Sequence, residues 1–392
     1  MPTESNHSRK FSETPAGGVY VHVPFCLQKC RYCDFYSVTD PVRINDYVQG
    51  LLHEMDLVRS AGIAADTLYL GGGTPSLLDP KDVARIVEKS ARCFDLLSHS
   101  EITLEVNPGT VSTENLRAFG QAGVNRLNIG IQSFDDGRLA FLGRVHSADQ
   151  GRKAIEAARG AGFDNIGLDL IYGLPGQSAG DWEKDLSAAV SAAPEHLSCY
   201  ILTIEPGTPL DRDVRMGRVH PLAEEQVRDL FEITRTRLAA AGYAQYEISN
   251  FARSENLRSR HNTKYWNLIP YTGLGPSAHS FCRPDRWWNH KDLDVYLKAV
   301  FAGNRPVVES ERLTRDQQMI EAIYLGLRQT RGIDVEDFES RFGIGFGDLF
   351  APAITALTAE AMVQLTPDAC LLTPAGLIYA DAIVGRFVDL VG

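Results

Sequence analysis

Three cysteines, Cys26, Cys30 and Cys33, stand within eight residues at the end of the segment Val19-Tyr20-Val21-His22-Val23-Pro24-Phe25. Thiolates are soft ligands suited to zinc or to iron and sulfur, and three at this spacing converge on one centre. A closed structural zinc site takes four ligands, usually as two separated pairs. Here a triplet stands alone, because the next cysteine, Cys93, lies far downstream. An iron-sulfur cube held by three thiolates would keep one iron open to a small molecule, so the spacing predicts a functional centre. The competing arrangement is a zinc site completed by His22 or Cys93. Disulfides are disfavoured, since seven cysteines is an odd number and Cys93, Cys199, Cys282 and Cys370 show no paired spacing.

Such a centre needs a scaffold, and the hydrophobic periodicity supplies one. From Val19 to about Asn250, short apolar β-branched runs alternate with helical stretches, the pattern of successive parallel βα units. Six strands are expected, over residues 19–23, 67–70, 102–106, 126–129, 165–170 and 197–202. Helices are expected over 44–60, 80–93, 113–122, 148–161, 180–192 and 223–241, with Gly62, Gly123, Gly162 and Gly242 suited to left-handed caps. The fold class is therefore α/β, a partial (β/α)6 TIM-like barrel. Barrels of this kind place their chemistry at the C-terminal ends of the strands. The unusual polar residues fall there: Cys26 after the first strand, Gly71-Gly72-Gly73-Thr74-Pro75 after the second, Glu105 on the third, Gln132 on the fourth, Asp169 on the fifth and Glu205 after the sixth. The triple glycine lets backbone amides approach a carboxylate or amino group. Glu105 and Asp169 suit an ammonium or ribose hydroxyls, and Arg144 suits a carboxylate.

The remaining composition narrows the partners. A net charge of -11 without clustered Lys and Arg excludes a general nucleic-acid binder. No uncharged apolar run approaches membrane-spanning length. Residues 1–17 read as a disordered polar tail rather than a targeting peptide, which points to a reducing cytoplasm. Residues 18–252 form the expected core, 253–304 a connecting region rich in Pro, Gly and aromatics, and 305–392 a small C-terminal helical, winged-helix-like domain.

The CxxxCxxC triplet followed by an aromatic, together with GGGTP on the second strand, resembles the radical S-adenosylmethionine (SAM) superfamily over nearly the whole chain. The resemblance implies a radical SAM barrel with a 4Fe-4S cluster on Cys26, Cys30 and Cys33, and SAM chelating the open iron. Its pocket would be lined by Tyr20, Gly72, Gly73, Thr74, Glu105, Gln132, Arg144, Asp169 and Ile171. The segments Gly130-Ile131-Gln132-Ser133-Phe134, Leu142-Gly143-Arg144-Val145-His146 and Asp169-Leu170-Ile171-Tyr172-Gly173-Leu174-Pro175 are similar to those of oxygen-independent coproporphyrinogen III oxidases and their relatives.

Two residue patterns separate members of that group. The oxidases carry a fourth cysteine two positions after the third, where this chain has Phe35. Residues His261-Asn262-Thr263-Lys264-Tyr265-Trp266 give HNxxYW, which resembles the signature of the HemW-type haem chaperones. The resemblance implies bound haem as cargo, delivered to haem-accepting apoproteins, membrane respiratory enzymes among them. The alternative activity is oxidative decarboxylation of coproporphyrinogen III. His261 in a flexible aromatic-rich segment is the expected haem ligand, with Tyr265 and Trp266 against the porphyrin and Arg258, Arg260 or Lys264 toward the propionates.

Overall fold

The computed structural model describes residues 16–58 and 64–391. Most of the expected polar tail, Gly62, and the last two residues of the helix expected over 44–60 lie outside the described residues. Six parallel strands form in sequence order: β1 (Gly17–Val23), β2 (Ala65–Gly72), β3 (Glu101–Val106), β4 (Arg126–Gln132), β5 (Ile166–Tyr172) and β6 (His196–Ile201). Helices α1 (Ile44–Val58), α2 (Pro80–Cys93), α3 (Thr113–Gln121), α4 (Asp136–Leu142), α5 (Ala148–Gly160), α6 (Ala179–Ser191), α7 (Pro209–Arg215) and α8 (Glu224–Ala240) occupy the crossovers and the stretch after β6. Ser112, Ser147 and Ser178 cap α3, α5 and α6 through reciprocal capping boxes, which fixes where each crossover helix begins. Gly123, Gly162 and Gly242 end helices at φ values of 101°, 98° and 83°, the left-handed conformation expected of them.

One alternation explains both the core and the site. Successive side chains of a strand point to opposite faces. Val19, Val21, Val23, Leu68, Leu70, Leu127, Ile129, Leu168 and Leu170 face the helices and are at most 1% exposed. The alternate positions face the barrel lumen and are polar: Tyr20 pairs in register with Tyr69 and Tyr69 with Thr103, Glu105 with Asn128, and Asp169 with Ser198. The apolar face thus builds the core without drawing on the lumen residues.

The stretch over 253–304 does more than connect. It contributes α9 (Arg260–Trp266), and its strands extend the barrel sheet beyond β1. With β7 (Ala244–Gln245), β8 (Asn250–Ala252), β9 (Tyr271–Leu274), β10 (His279–Cys282), β11 (Asp285–Asn289) and β12 (Val307–Arg312), one sheet runs in the order β12-β11-β10-β9-β1-β2-β3-β4-β5-β6-β8-β7. Strand β9 lies parallel to β1, while β10, β11 and β12 follow antiparallel. The sheet is an open arc rather than a closed barrel. Glycine hides β9 from a propensity reading: Gly273 is required because a Cβ there would lie 2.0 Å from the His279 carbonyl oxygen. Buried Glu54 of α1 fastens the extension to the barrel, accepting from Gly275 N (2.7 Å), Asn289 Nδ2 (2.6 Å) and the Tyr296 hydroxyl (2.7 Å). Tyr296 belongs to α10 (Leu293–Phe301), which packs on α1.

The C-terminal unit comprises α11 (Arg315–Arg328), β13 (Ile333–Asp334), α12 (Val335–Phe342), α13 (Phe346–Leu349), α14 (Ala351–Ala359), β14 (Val363–Leu365), β15 (Ala369–Leu372) and α15 (Ala380–Val388). The expected terminal strand pair forms, and β13 joins it to give a three-stranded sheet. Phe338, Phe342, Phe346, Phe350 and Phe387 stack into its core.

Candidate functional site

At the C-terminal ends of the strands lies a cavity of about 460 Å3, lined by Cys26, Cys30 and Cys33 together with residues from β2 to β6. The cysteine loop leaves β1 and is braced on three sides. Cys26 N donates to Val38 O at 3.0 Å, closing the loop's base. Arg31 N donates to Leu142 O (3.2 Å), while its guanidinium lies 5.1 Å from the Phe141 ring and reaches Asp213 at 2.5 Å. Leu210 N in turn donates to Arg31 O at 3.0 Å. Arg31, which spacing arguments do not single out, therefore ties the cysteine loop to α4 and α7. Its position between two of the cysteines was the available signal.

Two expected residues touch the thiols. Thr74 Oγ1 donates to Cys26 Sγ at 3.6 Å, and Arg144 Nη1 donates to Cys30 Sγ at 3.5 Å. A second Arg144 nitrogen, Nη2, donates to Gly130 O at 2.8 Å, and a Cβ at 130 would press on Gln132 Nε2 at 3.0 Å and Arg144 Nη2 at 3.3 Å. Burial pushes the Cys33 thiol up to about 11.

Across the cavity stand two carboxyls. Glu105 accepts from the Tyr69 hydroxyl (2.8 Å) and from Gly72 N (3.1 Å), and burial holds it up at about 7. Asp169 accepts from Asn128 Nδ2 at 2.6 Å and is pushed by burial to about 6. Gln132 sits at φ 66°, left-handed for a non-glycine residue, which turns its side chain at the end of β4. Asp185 of α6 holds the next two residues, accepting from Ser133 Oγ (2.8 Å) and Phe134 N (2.7 Å).

The residues fit a bound polar cofactor. Ser37 Oγ, Gln132 Oε1, Arg144 Nε and Asp169 Oδ1 are buried without a hydrogen-bond partner, and all four residues line the cavity. Buried polar atoms are ordinarily satisfied, so four orphans around one cavity mark the places a ligand would fill. None of the seven cysteines is in a disulfide. Among the described residues no three His, Cys, Asp or Glu side chains converge on the position of a single metal ion. In a cubane cluster each thiolate binds a different iron, so wider separation suits that group. The zinc alternative lacks its fourth ligand. His22 donates from Nε2 to Tyr36 O (2.9 Å) and accepts at Nδ1 from Tyr20 (3.1 Å), and Cys93 is buried in the core at the end of α2.

Of the expected pocket residues, Gly72, Gly73, Thr74, Glu105, Gln132, Arg144, Asp169 and Ile171 line the cavity, as does Glu205. Tyr20 does not; it lies deeper in the lumen against Tyr69 and His261. The glycine run also works differently from expectation. Gly72 N is engaged by Glu105 and Gly73 N by Val23 O (2.8 Å), so neither amide is free for a ligand. Glycine is needed at 73 because a Cβ would lie 2.6 Å from Phe25 O, where the cysteine loop crosses β2. Tyr69, Asn128 and Tyr200 also line the cavity and were missed, since only the strand register turns them inward.

His261 is not at the cavity and not in a flexible segment. It lies on α9, 1% exposed, with Nδ1 at 2.8 Å from Thr67 Oγ1 and Nε2 at 2.8 Å from the Tyr265 hydroxyl. Its ring stacks 5.2 Å from Tyr69, and burial lowers it to about 3, so it is neutral. Both ring nitrogens are engaged, which leaves neither free for haem iron. Arg260 and Lys264 pair with Asp66 at 2.6 and 2.5 Å, and Arg258 with Glu255 at 3.3 Å, so none of the three is an unpaired propionate partner.

The Radical SAM superfamily model matches residues 20–189, and the HemN C-terminal domain model matches residues 313–379. The chain is 33% identical to the heme chaperone HemW of Bacillus subtilis (strain 168), over 94% of this chain and 98% of that one. It is 39% identical to the heme chaperone HemW of Escherichia coli (strain K12), over 68% of this chain and 70% of that one. The solved structure of coproporphyrinogen III oxidase (HemN) from Escherichia coli superposes with a TM-score of 0.83 at 23% identity, covering 95% of this chain and 90% of that one, which establishes the shared fold. Radical SAM barrel, helical C-terminal domain and full-length kinship with these proteins agree: the chain belongs to the HemW family of the radical SAM superfamily.

Proposed function

We propose that this protein is a haem chaperone that carries a 4Fe-4S cluster and SAM and passes haem to apoproteins, respiratory haem proteins among them, in the cytoplasm. The observation that carries the reading is the convergence of the three thiols and the four orphaned polar atoms on one cavity, in a chain related over 94% of its length to a protein named a heme chaperone. Cys26, Cys30 and Cys33 hold the cluster, Arg144 and Thr74 orient the Cys30 and Cys26 thiolates, and Gln132, Asp169 and Ile171 receive SAM. When bound, the cluster and SAM together supply one-electron chemistry. Glu105 and Asp169 titrate near neutrality, so each accepts a cationic or hydroxyl partner without a large protonation cost.

The second reading, oxidation of coproporphyrinogen III, meets Phe35, which is 62% exposed where a fourth cysteine would stand. The decisive assay reconstitutes the full chain anaerobically with iron and sulfide. Haem transfer to an apo-acceptor, with no vinyl product from coproporphyrinogen III, SAM and reductant, is the expected result. Vinyl product at a sustained rate would overturn the chaperone-only reading.

A further inference from the structure

Helix α9 packs across the N-terminal ends of the first strands, away from the cysteine loop. Glu101, at the start of β3, accepts from Arg260 N (3.3 Å) and His261 N (3.1 Å), and Asp66, at the start of β2, pairs with Arg260 and Lys264. A Cβ at Gly18 would meet His261 Cε1 at 3.1 Å, so the imidazole lies against β1. In either tautomer one ring nitrogen donates and the other accepts, with Thr67 on one side and Tyr265 on the other, and these two hydrogen bonds fix the plane of the ring. Tyr265 is itself braced edge-on by Tyr271 at 4.6 Å, while Gln329 Nε2 holds the Trp266 carbonyl at 3.2 Å. Tyr69 stacks on the imidazole at 5.2 Å and 26°, and it lines the cofactor cavity. Its hydroxyl donates to Glu105 Oε1, whose partner oxygen Oε2 accepts from Gly72 N. A Cβ at Gly71 would lie 2.8 Å from Tyr69 Cε1 and 3.0 Å from Glu105 Oε1, so glycine there leaves the space that the pair occupies.

We infer that His261 is a positioning residue for the cofactor cavity: its imidazole is the fixed surface on which Tyr69 stacks, and Tyr69 in turn aims the Glu105 carboxyl at the ligand. The inference rests on the cofactor set proposed above and gives the HNxxYW histidine a role at SAM instead of at haem iron. An ammonium or a ribose hydroxyl of SAM is what a carboxyl so held would receive. Without the imidazole, Tyr69 turns into the space beneath it and its hydroxyl leaves Oε1. Glu105 then keeps only the Gly72 amide, and its carboxyl is free to swing away from the ligand. The histidine therefore acts through one hydrogen bond, that of Tyr69 to Glu105, and this makes its effect separable from its part in packing.

The test is a double-mutant cycle between His261→Ala and Tyr69→Phe in the full chain, reconstituted anaerobically with iron and sulfide. SAM affinity is read from the change in the electron paramagnetic resonance spectrum of the reduced cluster as SAM is added, and haem affinity from the Soret band. Each single variant is expected to keep its iron and to weaken SAM about ten-fold, the worth of one charge-assisted hydrogen bond. The double variant is expected to bind SAM no more weakly than Tyr69→Phe alone. Thr67→Val keeps the imidazole and frees one side of it, so it serves should His261→Ala not fold. Its expected effect is smaller and likewise vanishes beside Tyr69→Phe. A histidine that only packs would lower the unfolding midpoint and either leave SAM affinity unchanged or weaken it by the same factor in both backgrounds; each of these results overturns the inference. So does loss of haem with SAM affinity unchanged, which assigns His261 to the iron. If the wild-type chain holds no cluster or binds no SAM, the cofactor reading itself falls.

Discussion

Glu105 is the residue on which pH acts most directly. Its folded value near 7 exceeds that of an unfolded glutamate, so the folded state holds its proton more tightly. The resulting stability is fully present below about pH 4.5 and lost as pH rises to about 7. Glu105→Gln removes that dependence. In cofactor-free protein, the melting temperature of the variant minus that of the wild type is expected to rise between about pH 4.5 and 7 and then level off; a flat difference would contradict the assigned shift. Cys30→Ser is expected to lose most of the iron and sulfide after anaerobic reconstitution, and stoichiometric zinc retained instead would assign a zinc site. The cysteines and the polar strand ends were legible in the sequence because ligand spacing and strand termini are local properties. The inward set Tyr69, Asn128 and Tyr200 was not, since its orientation depends on pairing between strands.

Among the elements, the cysteine loop and α9 depend on single residues. Arg31→Ala removes the ion pair with Asp213 and the stacking on Phe141, leaving the cysteine loop held by its backbone bonds alone. Such a variant is expected to reconstitute a cluster and then lose iron faster than the wild type on exposure to a chelator. His261→Ala opens a cavity beneath Tyr69 and leaves the Thr67 and Tyr265 hydroxyls unpaired, a destabilisation of about 2–4 kcal/mol in denaturant unfolding. A reduced haem affinity in that variant should therefore accompany a lower unfolding midpoint. The crossover helices were readable because apolar periodicity runs along them and glycines follow several of them. The sheet extension was not, because β9 carries glycine at its closest approach and β11 carries two tryptophans that read as a loop.

For the molecule as a whole, the joint between the barrel and the C-terminal unit rests on Glu247, which is fully buried and bound by Arg328 of α11 at 2.5 Å. Arg328→Ala strands that carboxylate. Ser249 N and Asn250 Nδ2 still serve it, so the cost is expected at about 3 kcal/mol, the low end for a broken buried pair. Limited proteolysis should then release the C-terminal unit sooner than in the wild type. The winged-helix-like order was visible from the sequence, but its attachment was not, since it uses a glutamate and an arginine 81 positions apart.

The division of each strand into an apolar outer face and a polar lumen also sets an order of events in the life of the protein. Because the outward strand residues that build the core include none of the three cysteines, the scaffold can assemble without a metal. Under the function proposed above, iron loading would then be a maturation step imposed on a finished fold, and a cell short of iron would accumulate folded, empty molecules ready to be charged.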